Sequence, residues 1–176
     1  YLKLIIMCYL KLNILQLKIN MNKDKEIEIF KKTLSKFLTG ITVVTAVDNI
    51  GNPIGMTVNS FSSVSLDPPL VLWSIEKKQP SYNFYKNSNG YVVNILSKNQ
   101  LDLCNIFSSQ SKDKFKNINW QRSANGFPLI DNCLAWFDCV KWKDYPGGDH
   151  LILVGKVTSS KFSNLEPLTY WNSKIS

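Results

Sequence analysis

Gly55-Met56-Thr57-Val58-Asn59-Ser60-Phe61-Ser62-Ser63-Val64-Ser65-Leu66-Asp67-Pro68-Pro69-Leu70-Val71 is the stretch on which the reading of this chain turns. Between Met56 and Ser65, six of ten side chains are hydroxyls or amides. A strand in the wall of a barrel should carry Val and Ile there. Successive strand residues face opposite sides, so Ser60 and Ser62 share one face while Thr57, Asn59 and Ser63 share the other. Short polar groups on both faces suit a flat, polar-edged ligand lying across the strand, its heteroatoms met by hydroxyls and backbone N–H groups. They equally suit a solvated edge strand. The stretch is predicted to be one strand over 54–65, stopped by Asp67-Pro68-Pro69.

Working outward, 41–47 is short and β-branched, hence a strand, and 48–53 is dense in turn formers, hence a hairpin connection. Before it, Ile27, Phe30, Leu34 and Phe37 recur at three- and four-residue steps and predict an amphipathic helix over 22–38. On the other side, 70–75 is continuously apolar and predicts a strand buried on both faces. Residues 76–79 read as a charged loop, and Ser81 is placed to cap a short helix reaching Tyr85. A strand over 91–96, a helix over 100–107 and a polar run over 108–119 follow, then an irregular segment over 120–132 broken by Gly126 and Pro128. Alternation predicts a strand over 133–143 ending in a turn at Tyr145-Pro146-Gly147-Gly148, a strand over 151–160, and a last short element over 165–171. Six or more strands at hairpin distances with a few short helices predict a mainly β protein with peripheral helices, an antiparallel barrel rather than a βαβ sheet.

The chain has 176 residues, enough for one domain. With 44% apolar and 19% charged residues it is no disordered chain. Residues 1–20 stand apart: they carry Lys3, Lys11 and Lys18, no acid and many Leu and Ile. Their charge-free runs fall far short of the ~20 residues a membrane span needs. We read 1–20 as an N-terminal extension outside a domain at 21–176 and expect no membrane partner; a basic membrane-surface segment is the competing reading. Cys8, Cys104, Cys133 and Cys139 show no metal-ligand spacing. Cys133 and Cys139 are expected on one face of one strand, as free thiols in a reducing cytoplasm. The formal charge of +8 becomes +5 once the three lysines of the extension are set aside, a balance that suits an anionic small molecule at least as well as nucleic acid.

Three further places carry chemistry-bearing residues. Glu76-Lys77-Lys78-Gln79-Pro80-Ser81 puts two lysines and a hydroxyl at a helix start, which reads as an anion site or as a solvated turn. Ser108-Ser109-Gln110-Ser111-Lys112, with Lys114-Phe115, repeats those ingredients in a loop. His150, the only histidine, follows Gly147-Gly148-Asp149 at the entrance of an apolar strand, where Asp149 either orients the ring or closes the turn. The chain has neither a Walker loop nor a nucleophile elbow.

Taken together, the Gly55–Val71 stretch, Ser81 with Phe84, and Gly148-Asp149-His150 running into Gly155-Lys156-Val157 resemble the flavin reductase-like FMN-binding split-barrel family. The resemblance spans about 27–171. It implies an antiparallel split β-barrel, a homodimer that binds FMN or FAD and oxidises NADH or NADPH, passing reduced flavin to a partner flavin-dependent monooxygenase. Carried over by position, Thr57, Val58, Asn59, Ser60, Phe61 and Ser62 would contact the isoalloxazine and ribityl chain. Lys77, Lys78, Ser81 and Tyr82 would surround the phosphate, Ser109, Gln110 and Phe115 would close over the flavin tail, and His150 would stand at the nicotinamide. Hydride transfer is chemistry of the flavin and the nicotinamide, which accounts for a chain with no paired carboxylates or activated nucleophile. A flavin-storage protein of the same fold is the alternative. An oxidase acting on a phosphate-bearing amine would want arginines, and Arg122 is the only one. A nucleic-acid module would bind with steep salt dependence.

Overall fold

The computed structural model describes residues 22–111 and 113–176, divided into two units: residues 22–38 with Trp171–Lys174, and Thr39–Tyr170 with Ile175 and Ser176. The segment 1–20, Cys8 included, lies outside the described residues. In the first unit, residues 22–34 form helix α1, braced by a Lys32–Glu28 ion pair at 2.7 Å. The predicted helix ends four residues early, in a turn where Ser35 O accepts from Asn172 N–H at 2.7 Å. The expected apolar stripe is present but exposed, Phe37 at 76% and Phe30 at 63%.

The second unit holds a seven-stranded antiparallel sheet in the order β3-β2-β6-β9-β10-β5-β4. Its strands are β2 Thr42–Val47, β3 Pro53–Val58, β4 Ser62–Leu66, β5 Pro69–Glu76, β6 Gly90–Ile95, β9 Ala135–Gly147 and β10 His150–Phe162. β1 Thr39–Gly40 pairs antiparallel with β11 Thr169–Trp171, and β7 Trp120–Arg122 with β8 Pro128–Ile130; β12 is Lys174–Ile175. The helices are α2 Tyr82–Asn87, a 3₁₀ turn at Lys98–Gln100, and α3 Leu101–Ser108.

The predicted strand at 54–65 is two strands, and they lie at opposite edges of the sheet. Only Asn59-Ser60-Phe61 joins them, so the edges stand at most about 14 Å apart, the reach of the four residue steps from Val58 to Ser62. Seven strands laid flat would hold those edges about 29 Å apart, at ~4.8 Å per strand spacing. The sheet must therefore curl, and the chain is an antiparallel barrel left unpaired along the seam between β3 and β4, the predicted split barrel. Ser60 makes the crossing: its Oγ donates to Ser74 O and accepts from Ser74 N–H, both at 3.0 Å, which takes the chain from β3 over to β5. Register shifts at Val154/Gly155 and Val157/Ser159 bend the long β9–β10 hairpin to the same curvature.

The strand buried on both faces is not the predicted 70–75, since β5 alternates with only Val71, Trp73 and Ile75 buried. β2 and β6 hold that place. One face of each packs into the barrel interior with Trp73, Tyr91 and Leu153. The other is roofed by Cys104 and Phe107 of α3, with Ile130 and Leu168. Part of the roof comes from 120–132, expected to be irregular. It is the β7–β8 hairpin, tied down where Asn94 Oδ1 accepts from Ile130 N–H at 2.9 Å. β9 begins two residues later than predicted and runs through the expected turn at 145–148, so the reversal falls on Gly148-Asp149, with Gly148 at φ 67°. Cys133 thus precedes the strand and belongs to the roof cluster, whereas Cys139 lies inside the barrel; they share no face.

Candidate functional site

A cleft of about 470 Å³ opens between β3, the turn leading into α2 and the segment that follows α3. Its floor is Pro53–Thr57. Phe107 packs closely on that floor because residue 55 is glycine: a Cβ there would stand 2.5 Å from Phe107 Cε1 and 3.4 Å from Phe115 Cε2. Phe107 and Phe115 meet edge to face with centroids 5.0 Å apart, and Trp120 continues the row at 5.6 Å from Phe115. Gln79, Pro80, Ser81 and Phe84 form one wall, Ser108–Ser111 and Lys114 the other.

The predicted residues divide by place. Thr57, Ser81, Ser109, Gln110 and Phe115 all line the cleft, although they come from three separate segments. Thr57 Oγ1 donates to Cys104 O at 2.8 Å, which holds β3 against α3 and leaves the oxygen free to accept. Ser81 occupies the N-cap position of α2 but makes no capping bond, contrary to expectation; its hydroxyl turns to Met56 Sδ at 3.9 Å. Ser109 Oγ donates to Ile106 O at 2.7 Å and accepts from Ser111 N–H at 3.2 Å, so that hydroxyl shapes its own loop.

The others do not line it. Val58 packs on the barrel core, and so does Phe61, which stacks on Phe137 at 5.6 Å. Asn59 and Ser62 are exposed along the crossing, and Ser60 is engaged with Ser74. Tyr82 packs on the core beneath Lys86. Lys77 and Lys78 stand beside the β9–β10 turn: Lys77 Nζ donates to Gly148 O at 2.5 Å and Lys77 N–H to Asp149 O at 2.9 Å. His150 lies there too, paired across the sheet with Glu76, its Nδ1 2.7 Å from Asp149 Oδ1. That bond holds the Asp149 carboxyl below the usual carboxylate range. An ionised carboxylate only accepts, so Nδ1 carries the proton toward Asp149, and Nε2 is the ring nitrogen left for a ligand. The turn 77–80 runs directly from this polar cluster into the cleft wall.

Met56, Phe107 and Lys114 also line the cleft; none is among the flavin contacts that the resemblance carries over, and Lys114 enters the sequence reading only with the polar loop at 108–115. Lys114 Nζ donates to Phe107 O at 2.9 Å and to Gly55 O at 3.4 Å, and burial pulls its pKa below the ordinary lysine value. It is the only charged side chain among the described residues of the lining. The Lys114-Phe115 pair was visible in the sequence, but nothing local distinguishes it from a solvated loop.

Among the described residues no helix is long and apolar enough to cross a membrane, and no three His, Cys, Asp or Glu side chains are grouped to hold a metal ion. The cleft combines aromatic surface, short hydroxyls and the Lys114 cation, a lining that fits a planar heteroaromatic ligand with a polar edge and an anionic tail.

Known proteins bear on this site. The reductase component of the flavin-dependent trigonelline monooxygenase of Acinetobacter baylyi is 43% identical over 147 residues, which are 82% of this chain and 46% of that protein. The FMN reductase (NADH) SmoA of Agrobacterium fabrum is 39% identical over 141 residues, 80% of each chain. The structure of the Streptomyces globisporus NADH:FAD oxidoreductase SgcE6 with NAD and FAD fragments superposes with a TM-score of 0.81 at 31% identity, covering 86% of this chain and 92% of that one. This chain spans under half the length of the first of these relatives. The pattern of the flavin reductase like domain matches residues 34–176, from the end of α1 through the whole barrel and its cleft, and the chain belongs to that family.

Proposed function

We propose that the chain is an NAD(P)H:flavin oxidoreductase that binds FMN or FAD in the cleft and delivers reduced flavin to a separate monooxygenase. The observation that carries this is the cleft itself: a glycine floor under Phe107, hydroxyls on both walls and the Lys114 cation, in a chain of this family. The names of the relatives, an FMN reductase (NADH), an NADH:FAD oxidoreductase and the reductase component of a monooxygenase, support it. A bound flavin would supply the acceptor for a hydride from the nicotinamide. The chain's own residues bind and orient. Phe107 and Phe115 offer apolar surface to the ring system; Thr57, Ser81 and Gln110 offer hydrogen bonds to its edge and ribityl chain; Ser109 fixes the loop that covers them. His150, its ring set by Asp149, presents Nε2 to the nicotinamide.

The homodimer belongs to the same proposal. Its support is the exposed stripe on α1 and the edge strand β4, Ser62-Ser63-Val64-Ser65-Leu66, which carries no charge and leaves Leu66 96% exposed. Sedimentation at micromolar concentration should give a mass near twice 20.1 kDa. Free, buried Cys104, Cys133 and Cys139 support a reducing cytoplasm.

The test is to mix protein, NADH and FMN or FAD and to follow absorbance at 340 nm. A reductase consumes NADH catalytically; a storage protein binds the flavin and leaves the absorbance unchanged. In the same assay His150→Ala should lower the rate of flavin reduction at least tenfold while flavin affinity stays within a few-fold. An unchanged rate would remove His150 from the site.

A further inference from the structure

We propose that Trp120 is a positioning residue for the cleft: it sets the Phe115 ring against the ligand, and Asn94, buried in the sheet, acts through it. This rests on the flavin-binding reading of the cleft. Phe115 is half-buried and lines two clefts at once, the one described above and a second of about 690 Å³ on its far side. The ring is thus a partition with open space on both sides. Its own backbone does little to fix it, since between α3 and β7 the described residues form turns and no helix or strand. Besides its packing on the roof cluster, two aromatic edges hold it, Phe107 at 5.0 Å and 74° and Trp120 at 5.6 Å and 73°. Edge-to-face pairs are directional, so the tilt of Phe115 follows the two rings that grip it.

Phe107 is fixed by α3 and is almost wholly buried. Trp120 needs an anchor of another kind, because it opens β7, a strand of three residues paired with β8 alone. A two-stranded ribbon this short is not stable by itself in water. Its anchor stands directly across the ribbon. Trp120 pairs with Ile130, and Ile130 N–H is the group that donates to Asn94 Oδ1 at 2.9 Å. Asn94 has no exposed surface, and its Nδ2 donates to Val43 O and Thr45 Oγ1, each at 3.0 Å, so the amide is locked to β2. Thr45 Oγ1 in turn donates to Pro128 O at the start of β8. On the outer side, the Arg122 guanidinium lies 5.8 Å from the Trp120 ring and donates to Gly126 O at 2.8 Å and Gly51 O at 3.3 Å. A chain of contacts therefore runs from the buried amide on β6 through Ile130 and Trp120 to Phe115.

A direct contact between Trp120 and the ligand and a purely structural role are the rival accounts, and a double-mutant cycle separates them. Affinities for FMN and FAD, read by flavin fluorescence, and urea midpoints are measured for the unaltered chain, Trp120→Ala, Trp120→Phe, Phe115→Ala and the double variant. Trp120→Ala should weaken flavin binding by about 3- to 10-fold, the worth of one lost edge-to-face contact. Trp120→Phe should recover most of that loss. In the double variant affinity should stay within about twofold of Phe115→Ala alone, because Trp120 has nothing left to position. Losses that multiply would make Trp120 a ligand contact, and a lowered urea midpoint with unchanged affinity would make it only structural; either result overturns the proposal. A second readout needs no flavin. With para-fluorophenylalanine in place of Phe115, the fluorine NMR signal should shift or broaden in Trp120→Ala and in Asn94→Ala alike. Thr45→Val, which removes the hydroxyl that holds Pro128 O, serves where Asn94→Ala does not fold. A signal that none of these variants moves overturns the proposal. An unaltered chain that binds neither flavin, with a fluorine signal that still answers to Trp120 and Asn94, would overturn the reading of the cleft and uphold the positioning.

Discussion

At Gly55 the absence of a side chain decides the shape of the cleft. The Cβ of an alanine would fall 2.5 and 2.7 Å from two ring carbons of Phe107, which is itself almost wholly buried under the roof. The ring cannot retreat, so it must swing into the space above the floor. Gly55→Ala should cost about 1–3 kcal/mol of stability, the usual range for overpacking. It should weaken flavin binding by an order of magnitude or more; urea unfolding and a flavin titration measure the two effects separately. The chemistry of Lys114 is of a different kind from that of Gly55, since it depends on two carbonyls and not on volume. That difference bears on what a sequence can disclose. Gly55 stands within the quoted stretch, and Thr57, Ser81, Ser109, Gln110 and Phe115 were each legible as short polar or aromatic residues. That a lysine fifty-nine positions from Gly55 would reach its carbonyl follows only from the packing of α3 on β3.

Among the elements, the crossing at Asn59-Ser60-Phe61 shows where local reading stops. Composition correctly marks 54–65 as extended and unusual, yet the break depends on Ser74, fourteen residues away, whose backbone bonds Ser60 Oγ twice. Ser60→Ala removes both bonds from a half-buried place and should lower stability by roughly 1–3 kcal/mol, read as a shift of the denaturation midpoint. Little change there would mean that the crossing is held by the strands alone. The β7–β8 hairpin escaped notice for a similar reason: its short strands are fastened by Asn94, which belongs to β6. Strands 41–47, 91–96 and 151–160 were legible because their apolar runs sit between turn formers and agree with the sheet they join. The pattern on β5 misled, because an unbroken apolar run says nothing of which face a neighbour covers.

For the molecule as a whole, the buried ionisable groups set a limit on the alkaline side. Burial pushes the thiols of Cys133 and Cys139 up to about 12, and raises the Cys104 thiol and the Tyr85 and Tyr91 phenols as well. The folded chain keeps protons that the unfolded chain begins to release near pH 8.5, the ordinary thiol value. Stability is therefore fully present below that value and falls as pH climbs toward 12. By pH 10 each of the two thiols accounts for a loss of roughly 2 kcal/mol. Urea midpoints should drop steeply between pH 8 and 10.5, and a Cys133→Ala/Cys139→Ala variant should show a shallower decline from its own neutral value. The same protonated thiols should ignore a disulfide reagent at pH 8 until the chain is unfolded.

The crossing also governs how the barrel comes together. Hairpins β2–β3 and β4–β5 are neighbours along the chain and strangers in the sheet, with five strand-to-strand junctions between β3 and β5 when counted through the ladder. Neither hairpin can recruit the other directly. Each must wait for β6, β9 and β10 to supply the intervening ladder, and only then can the short tether lie slack enough to fit. A few flexible residues spliced in beside Ser60 would leave every ladder bond in place while freeing the two rims to part. The three-residue tether is thus a latch, and its brevity is what keeps a curled sheet from opening like a book.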